Sequence, residues 1–289
     1  MTKSKRDKEE VGKKDLAWER LVKGEAVADE SFPKISVILP TFNQSHLVSI
    51  SLETILQQVY PDLEVIIIDA GSTDKTLDVI KSFYDPRIRI TSVTTYHCYD
   101  MLNKGISLAK GLYISFLLPG DFYLYPLAFQ YVMELAKEFD YPHLLYGATL
   151  LRGGPEVKTL YRPMTKEILR AGKQSTSVQA CWFHIDTFRF IGKFTSEYKI
   201  RGGYDLFCRF CLHTHLRVVS TQRVLTDYVV RPISKKYMLR HLKETVSVIY
   251  RYFGWKDALK WFLTQKDLFR LIKMWFGSVK GAFLGQKGQ

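Results

Sequence analysis

The sequence predicts an α/β fold, a mainly parallel sheet flanked by helices, with a helical extension at the C-terminus. Three observations carry that prediction. From residue 34 to 118, four short apolar runs alternate with three stretches of helical period. The runs, such as "LEVIIIDAG", are continuously apolar, the pattern of strands buried on both faces. Asp69 and Asp121 follow directly on such runs, at the strand ends where open α/β sheets bind ligands.

Each element has its own signal. "ISVILP" is a short buried strand. "SHLVSISLETILQQVYP" is a helix with Val48, Leu52, Ile55 and Val59 on one stripe and Pro61 stopping it. "LEVIIIDAG" is the second strand, and "STDKTLDVIKSFYD" opens on capping residues and continues as a helix. "RIRITSV" is the third strand. "YDMLNKGISLAKG" carries Tyr99, Leu102, Ile106 and Ala109 on one face and ends at Gly111. "LYISFLL" is the fourth strand. Beyond about residue 140 the alternation weakens, and "HLLYGATLLRGGPEVKTLYR" reads as a hairpin around Arg152-Gly153-Gly154.

Charge divides the chain into three parts. Residues 1–33 form a charged, partly helical arm, in which the two signs nearly cancel. Residues 34–232 form the body, also close to neutral. Residues 233–289 carry 12 Lys/Arg against 3 Asp/Glu, so most of the net charge of +13 sits there. This basic tail points to an anionic partner surface. Its helical pattern aligns Leu268, Leu271 or Ile272, Trp275 and Val279, with Lys266, Arg270, Lys273 and Lys280 off the stripe. That is the pattern of a helix lying on an anionic bilayer; the alternative is a helix packed on the body with a basic outer face. The aromatic residues fall on the apolar stripe and no nucleic-acid-binding module is present, so no nucleic-acid partner is expected. The N-terminus has no apolar core of signal-peptide length, and no stretch reaches the roughly 18 uncharged apolar residues of a membrane span. The expected location is therefore cytoplasmic, peripheral on the inner face of the cytoplasmic membrane. Cys98, Cys181, Cys208 and Cys211 show no disulfide framework. Zinc ligation by "CRFCLHTH" is disfavoured, because four ligands within eight residues of a helix cannot converge on one ion; burial of Cys208 and Cys211 is expected.

Four segments now carry a resemblance. "SVILPTFN", "EVIIIDAGSTDKT", "YDMLNKGISLAKGLYISFLLPGDFY" and "YKIRGGYDLFCRF" stand in the order and spacing of inverting family 2 glycosyltransferases with the Rossmann-like GT-A fold. The bacterial surface-polysaccharide branch is the most similar. The resemblance covers roughly residues 34–232. It implies a nucleoside-diphosphate sugar as donor, a glycan or lipid-linked acceptor, and Mg²⁺ or Mn²⁺ as cofactor. On the donor side it implies Pro40, Thr41, Asn43, Asp69 and Ser72 around the nucleotide, with Asp69 accepting from a base N–H. Lys104 offers a cation near phosphate. A turn-capping Asp69 and an ordinary solvated Lys104 remain the alternatives.

In the resembled family the fourth strand ends in two acids that hold the metal, which offsets charge developing on the leaving diphosphate. Here the pair reads Gly120-Asp121, and Asp121 aligns with the acid that binds the ion. Restoring the pair by Gly120→Asp is expected to raise metal affinity if the backbone tolerates a side chain there. Asp121 as a helix cap is the bland alternative, set aside because the next helix begins near Pro126. The family's catalytic base falls at Gly203, within Arg201-Gly202-Gly203-Tyr204-Asp205. Asp205 aligns with the family's second Asp, which is usually structural; it or Glu197, brought into reach by the two glycines, is the expected replacement for the base. Gln179 stands where relatives contact the acceptor; Trp182 either stacks on a sugar or belongs to the core. The leading expectation is a glycosyltransferase of polysaccharide biosynthesis. The rival is a degenerate, non-catalytic GT-A domain that binds nucleotide sugar or partner enzymes.

Overall fold

A computed structural model describes residues 8–10, 16–23, 32–153, 156–230 and 234–265. Strands β1 (Lys8–Glu10), β2 (Ile35–Thr41), β3 (Leu63–Asp69), β4 (Ile88–Ser92) and β5 (Tyr113–Phe116) precede a short β6 (Phe122–Tyr123). Strands β7 (Leu144–Arg152), β8 (Lys158–Leu160), β9 (Cys181–His184) and β10 (Val218–Val229) complete the sheet. Its order is β1-β10-β7-β9-β5-β2-β3-β4, with β6 on β10 and β8 on β7. The four expected strands are β2 to β5, all parallel; β9 runs antiparallel between β5 and β7. The expected hairpin is β7–β8, paired Leu151↔Lys158 to Thr149↔Leu160.

The three crossover helices are α2 (Ser45–Leu56), α3 (Thr76–Lys81) and α4 (Cys98–Leu108). Strand side chains alternate between two apolar layers, as the pleat requires. Val37, Leu39, Val65 and Ile67 pack with Val48, Leu52 and Ile55 of α2, with Ile80 of α3 and with α5 (Ala128–Glu138). Ile38, Ile66, Ile68 and Phe116 face the opposite layer, with Met101, Leu102 and Ile106 of α4. That layer also takes α6 (Lys166–Arg170), α7 (Thr187–Ile191), α8 (Gly202–Leu212), α9 (Lys235–Phe253) and α10 (Trp255–Leu263).

Described segments near both ends pack on the body. The N-terminal segment contributes β1, parallel to β10, and α1 (Leu16–Val22). Trp18 of α1 sits edge-on to Tyr125 and Tyr131 and under the Arg223 guanidinium. The first part of the basic tail is helical as expected, but Leu242, Val248, Ile249 and Trp261 bury into the body core. The stripe from Leu268 to Val279 lies outside the described residues. Among the described residues no helix is long and apolar enough to cross a membrane.

Candidate active site

From β2 the chain winds outward through β3 and β4, then returns through α4 to β5 on the other side of β2. The C-terminal ends of β2 and β5 therefore flank the switch point, where a crevice opens in sheets of this kind. Thr41 to Asn43 leave one end; Leu117 to Asp121 leave the other.

On the β2–β3 side, the carboxylate of Asp69 is fully buried at the strand end. Its Oδ2 accepts from the backbone N–H groups of Gly71 (3.0 Å) and Ser72 (2.9 Å), and its Oδ1 from the Ser72 hydroxyl (2.5 Å). Asn43, at φ 50°, ties the two loops together. Its Oδ1 accepts from Thr73 N–H at 2.8 Å, and its own N–H donates to Ser72 Oγ at 3.0 Å. Asp74 extends the lock: it accepts from the Thr76 hydroxyl and the Ser45 N–H, and the Thr76 hydrogen bond leads in holding its carboxyl down at about 2. The turn-capping geometry of Asp69 is thus present. Pro40 is buried inside β2, and the Thr41 hydroxyl beside it is buried with no hydrogen-bond partner among the described residues. Two exposed aromatic rings, Phe42 and Tyr96, pack together beside these loops at 4.8 Å between centroids. Sequence reasoning passed over that pair, whose only signal is two aromatic residues in otherwise polar loops.

Across the crevice, Asp121 is 3% exposed. Its Oδ2 accepts from Gln179 Nε2 at 2.9 Å and its Oδ1 from the Val229 N–H at 3.0 Å. Helix-capping is excluded for it, because these partners lie on β10 and on the turn Val178–Ala180 before β9. Gly120 has φ +92°, and a Cβ there would meet Leu47 Cδ2 at 3.3 Å. Gly120→Asp would therefore force a side chain into the left-handed region, at about 1–2 kcal/mol. The condition for restoring the acid pair, a backbone that tolerates a side chain at this position, is therefore met only with strain. A cation stands there instead: Arg152 donates to Asp227 through Nε (3.0 Å) and reaches the Gly120 carbonyl at 3.5 Å. Its guanidinium lies over the Phe122 ring. Arg152 looked from sequence like a hairpin residue only, because its partner Asp227 is 75 positions away.

Among the described residues no three His, Cys, Asp or Glu side chains form a metal cluster. Asp121 fits the single-carboxylate mode of Mg²⁺, in which phosphate oxygens and water complete the shell. Lys104 is exposed on α4. The cysteines are free thiols, with Cys208 and Cys211 buried as expected.

A pocket of about 370 Å³ adjoins Gln179 and runs to Gly203, lined also by Tyr99, Phe194, Arg201 and His241. Three residues expected there, Trp182, Asp205 and Glu197, are missing from it. Trp182 is fully buried in the core against Tyr123 and Phe129, which corrects the acceptor-stacking expectation. Asp205 is 0% exposed. It binds Arg209 (2.9 Å), the Thr195 hydroxyl (2.8 Å) and the Tyr252 hydroxyl (2.8 Å). The expectation that Asp205 deprotonates an acceptor is corrected accordingly: it ties α8 to α9 and to the loop that follows α7. Gly202 and Gly203 are not a hinge but the first turn of α8. A Cβ on Gly203 would meet Val178 Cγ2 at 2.5 Å, so Val178 fills the space of a side chain there. Glu197 is exposed and paired with Arg251.

Solved structures share this architecture. This chain superposes with TM-score 0.59 and 18% identity on S. aureus TarS in complex with UDP, covering 76% of this chain and 66% of that one. The mannosyltransferase PcManGT from Pyrobaculum calidifontis, solved with GDP-Man and Mn²⁺, matches with TM-score 0.54 and 18% identity over 81% of this chain and 69% of that one. The fold is that of the GT-A transferases. Residues 36–190 match the model of glycosyl transferase family 2, and the chain belongs to that family of enzymes. A relative, the PGL/p-HBAD biosynthesis glycosyltransferase of Mycobacterium bovis, is 26% identical over 68% of this chain and 74% of that protein.

Proposed function

We propose that this protein transfers a sugar from a nucleoside-diphosphate donor to a glycan or lipid-linked acceptor at the inner face of the cytoplasmic membrane. The observation that carries the reading is the arrangement around the switch point. A locked Asp69–Asn43 loop pair lies on one side, Asp121 on the other, and the pocket opens alongside. Asp69 and the buried Thr41 hydroxyl bind the base and ribose, and the Phe42–Tyr96 pair offers the base a stacking face. Asp121 holds Mg²⁺ or Mn²⁺ together with the diphosphate, and the ion offsets charge on the departing diphosphate. Arg152, fixed by Asp227, adds positive charge on the same side, and Lys104 adds a solvated one. TarS solved with UDP and PcManGT solved with GDP-Man and Mn²⁺ support such a donor and cofactor.

The membrane reading draws on α10. Trp255, Leu259, Phe262 and Leu263 are exposed at helical spacing, with Lys256 and Lys260 beside them. That is an apolar face bordered by cations, suited to an anionic bilayer. The three-part division into arm, catalytic body and tail stands as part of this proposal, with α9 and α10 assigned to the body.

One observation favours the rival reading of a binding domain without turnover: Val178 closes the base position and Asp205 is committed to Arg209. A donor-hydrolysis and transfer assay with a panel of UDP- and GDP-sugars, with and without Mn²⁺, separates the two. Metal-dependent turnover of any donor supports the enzyme. Nucleotide binding with no turnover of any donor, with or without an added oligosaccharide acceptor, supports the binding domain.

A further inference from the structure

The pocket beside Gly203 has a one-sided charge. Lys199, Arg201 and His241 line it, and among the described residues no Asp or Glu does. The rest of its wall is largely apolar, including Phe116, Leu118 and Leu160. Arg201 is the unusual member. It is 7% exposed, and among the described residues no carboxylate pairs with it. Its Nη2 donates to the Gly172 carbonyl at 2.9 Å, and its guanidinium stacks 4.1 Å from the Tyr204 ring centre. Its Nε is buried, with no partner among the described residues. The neighbouring Glu244 does not relieve it. That carboxylate is taken by the backbone N–H groups of Lys199, Ile200 and Arg201, at 3.0, 2.9 and 2.9 Å.

A buried cation without a counter-ion is costly, and burial pulls its pKa down from the ordinary arginine value. A guanidinium with donors to spare binds carboxylate and phosphate oxygens in its plane. We propose that this pocket takes a sugar bearing an oxyanion, carboxylate or phosphate, and that Arg201 is its cation. The proposal rests on the reading of the site as a glycosyltransferase centre. Two sources share the chemistry: the donor sugar, as in a nucleotide-linked uronic acid, or the acceptor sugar.

Calorimetry on the full-length protein tests it. In the donor arm UDP-glucuronate is compared with UDP-glucose. In the acceptor arm, with UDP present, methyl glucuronide and glucose 6-phosphate are compared with methyl glucoside. The expected result is a preference of about tenfold or more for the charged sugar in one arm, the strength of a hydrogen bond to a charged group. Arg201→Met removes that preference, and Leu160→Trp, which narrows the pocket from the β8 edge, weakens binding of the charged sugar. No preference in either arm of the wild type overturns the proposal, whether or not the variants fold. A preference that survives both variants also overturns it, because the charge then binds elsewhere. A Tm loss in Arg201→Met with unchanged selectivity means that the residue only braces Gly172 and Tyr204. Titration of UDP alone reads the donor site separately: if UDP binds and no charged sugar is preferred, only this proposal falls.

Discussion

Gly203→Asp gives the chain the acid that the family resemblance implies at this position, and the packing predicts that it fails alone. The new Cβ would sit 2.5 Å from Val178 Cγ2, a separation that neither backbone nor a branched, half-buried side chain absorbs freely. Overpacking of this kind costs about 1–3 kcal/mol. Two gains offset part of it, together about 1 kcal/mol. An acid in the first turn of α8 interacts favourably with the helix dipole, by about 0.3–1 kcal/mol. Replacing a helical glycine recovers up to about 0.5–1 kcal/mol, less for Asp than for Ala. The net loss is about 1 kcal/mol. Val178→Ala removes the clashing methyl, and the next neighbours of the new Cβ are Gln174 Nε2 at 3.6 Å and Val178 Cβ at 4.0 Å, both ordinary contacts. The double variant therefore shows a favourable coupling energy of about 1–2 kcal/mol in a denaturation cycle. In donor-transfer assays it also turns over faster than either single variant, since a positioned base contributes roughly 10²–10⁴-fold. Gly203→Asp alone as stable as wild type, or a cycle with no coupling, refutes the packing argument.

Three further outcomes follow from named contacts. Asp205→Asn breaks a buried ion pair with Arg209 and should cost about 3 kcal/mol, lowering Tm by roughly 6–12 °C while UDP affinity holds; an unchanged Tm with lost turnover would restore Asp205 as a base. His143 and His184 each accept a backbone N–H at Nδ1, from Arg217 and Asp186, and burial is the leading cause that lowers both pKa values below 6.5. Above that value both states of the chain are neutral there; as pH falls below it the unfolded chain takes up protons first, so stability drops. Tm measured at pH 7.5 and 5.5 should fall, and the His143→Gln/His184→Gln variant should show a smaller fall; an equal fall in both proteins removes the histidines from the account. Leu259→Glu with Leu263→Glu should release the full-length protein from anionic liposomes in sedimentation, with Tm unchanged; if the wild type does not sediment, the membrane reading fails. Deleting the whole segment from residue 236 is not the equivalent test, because Leu242, Val248 and Ile249 belong to the core.

The parallel half of the fold was legible because each strand from β2 to β5 is a continuous apolar run with its own crossover helix. What lies beyond residue 140 was not. β10 joins β7 in parallel from 74 residues away, and β9 runs against both neighbours, pairings that no local period encodes. The site divided along the same line. Asp69 and Asp121 were visible as lone acids at strand ends. The Arg152–Asp227 pair, and an Arg201 with no carboxylate partner among the described residues, depend on long-range packing. Asp205 was misjudged because a helix spacing shows which residues share a face, not that Arg209, Thr195 and Tyr252 close over the carboxylate. Gly203 was read as freedom when it is close contact: a glycine in sequence signals either, and only the position of Val178 decides.

The central claim is that Asp121 anchors a divalent ion against a nucleoside diphosphate. Titration of UDP and GDP into wild type and Asp121→Asn, each with and without Mn²⁺, tests it most directly. The substitution keeps the size and leaves an acceptor for the Val229 N–H, and the Gln179 amide can turn to meet the new NH₂. A lone carboxylate holds a divalent ion weakly, so the ion binds together with the diphosphate. The account predicts that Mn²⁺ tightens nucleotide binding in the wild type, that Asp121→Asn loses this effect, and that metal-free affinity is nearly equal in the two. An equal Mn²⁺ response in both proteins, or no response in the wild type, would contradict it.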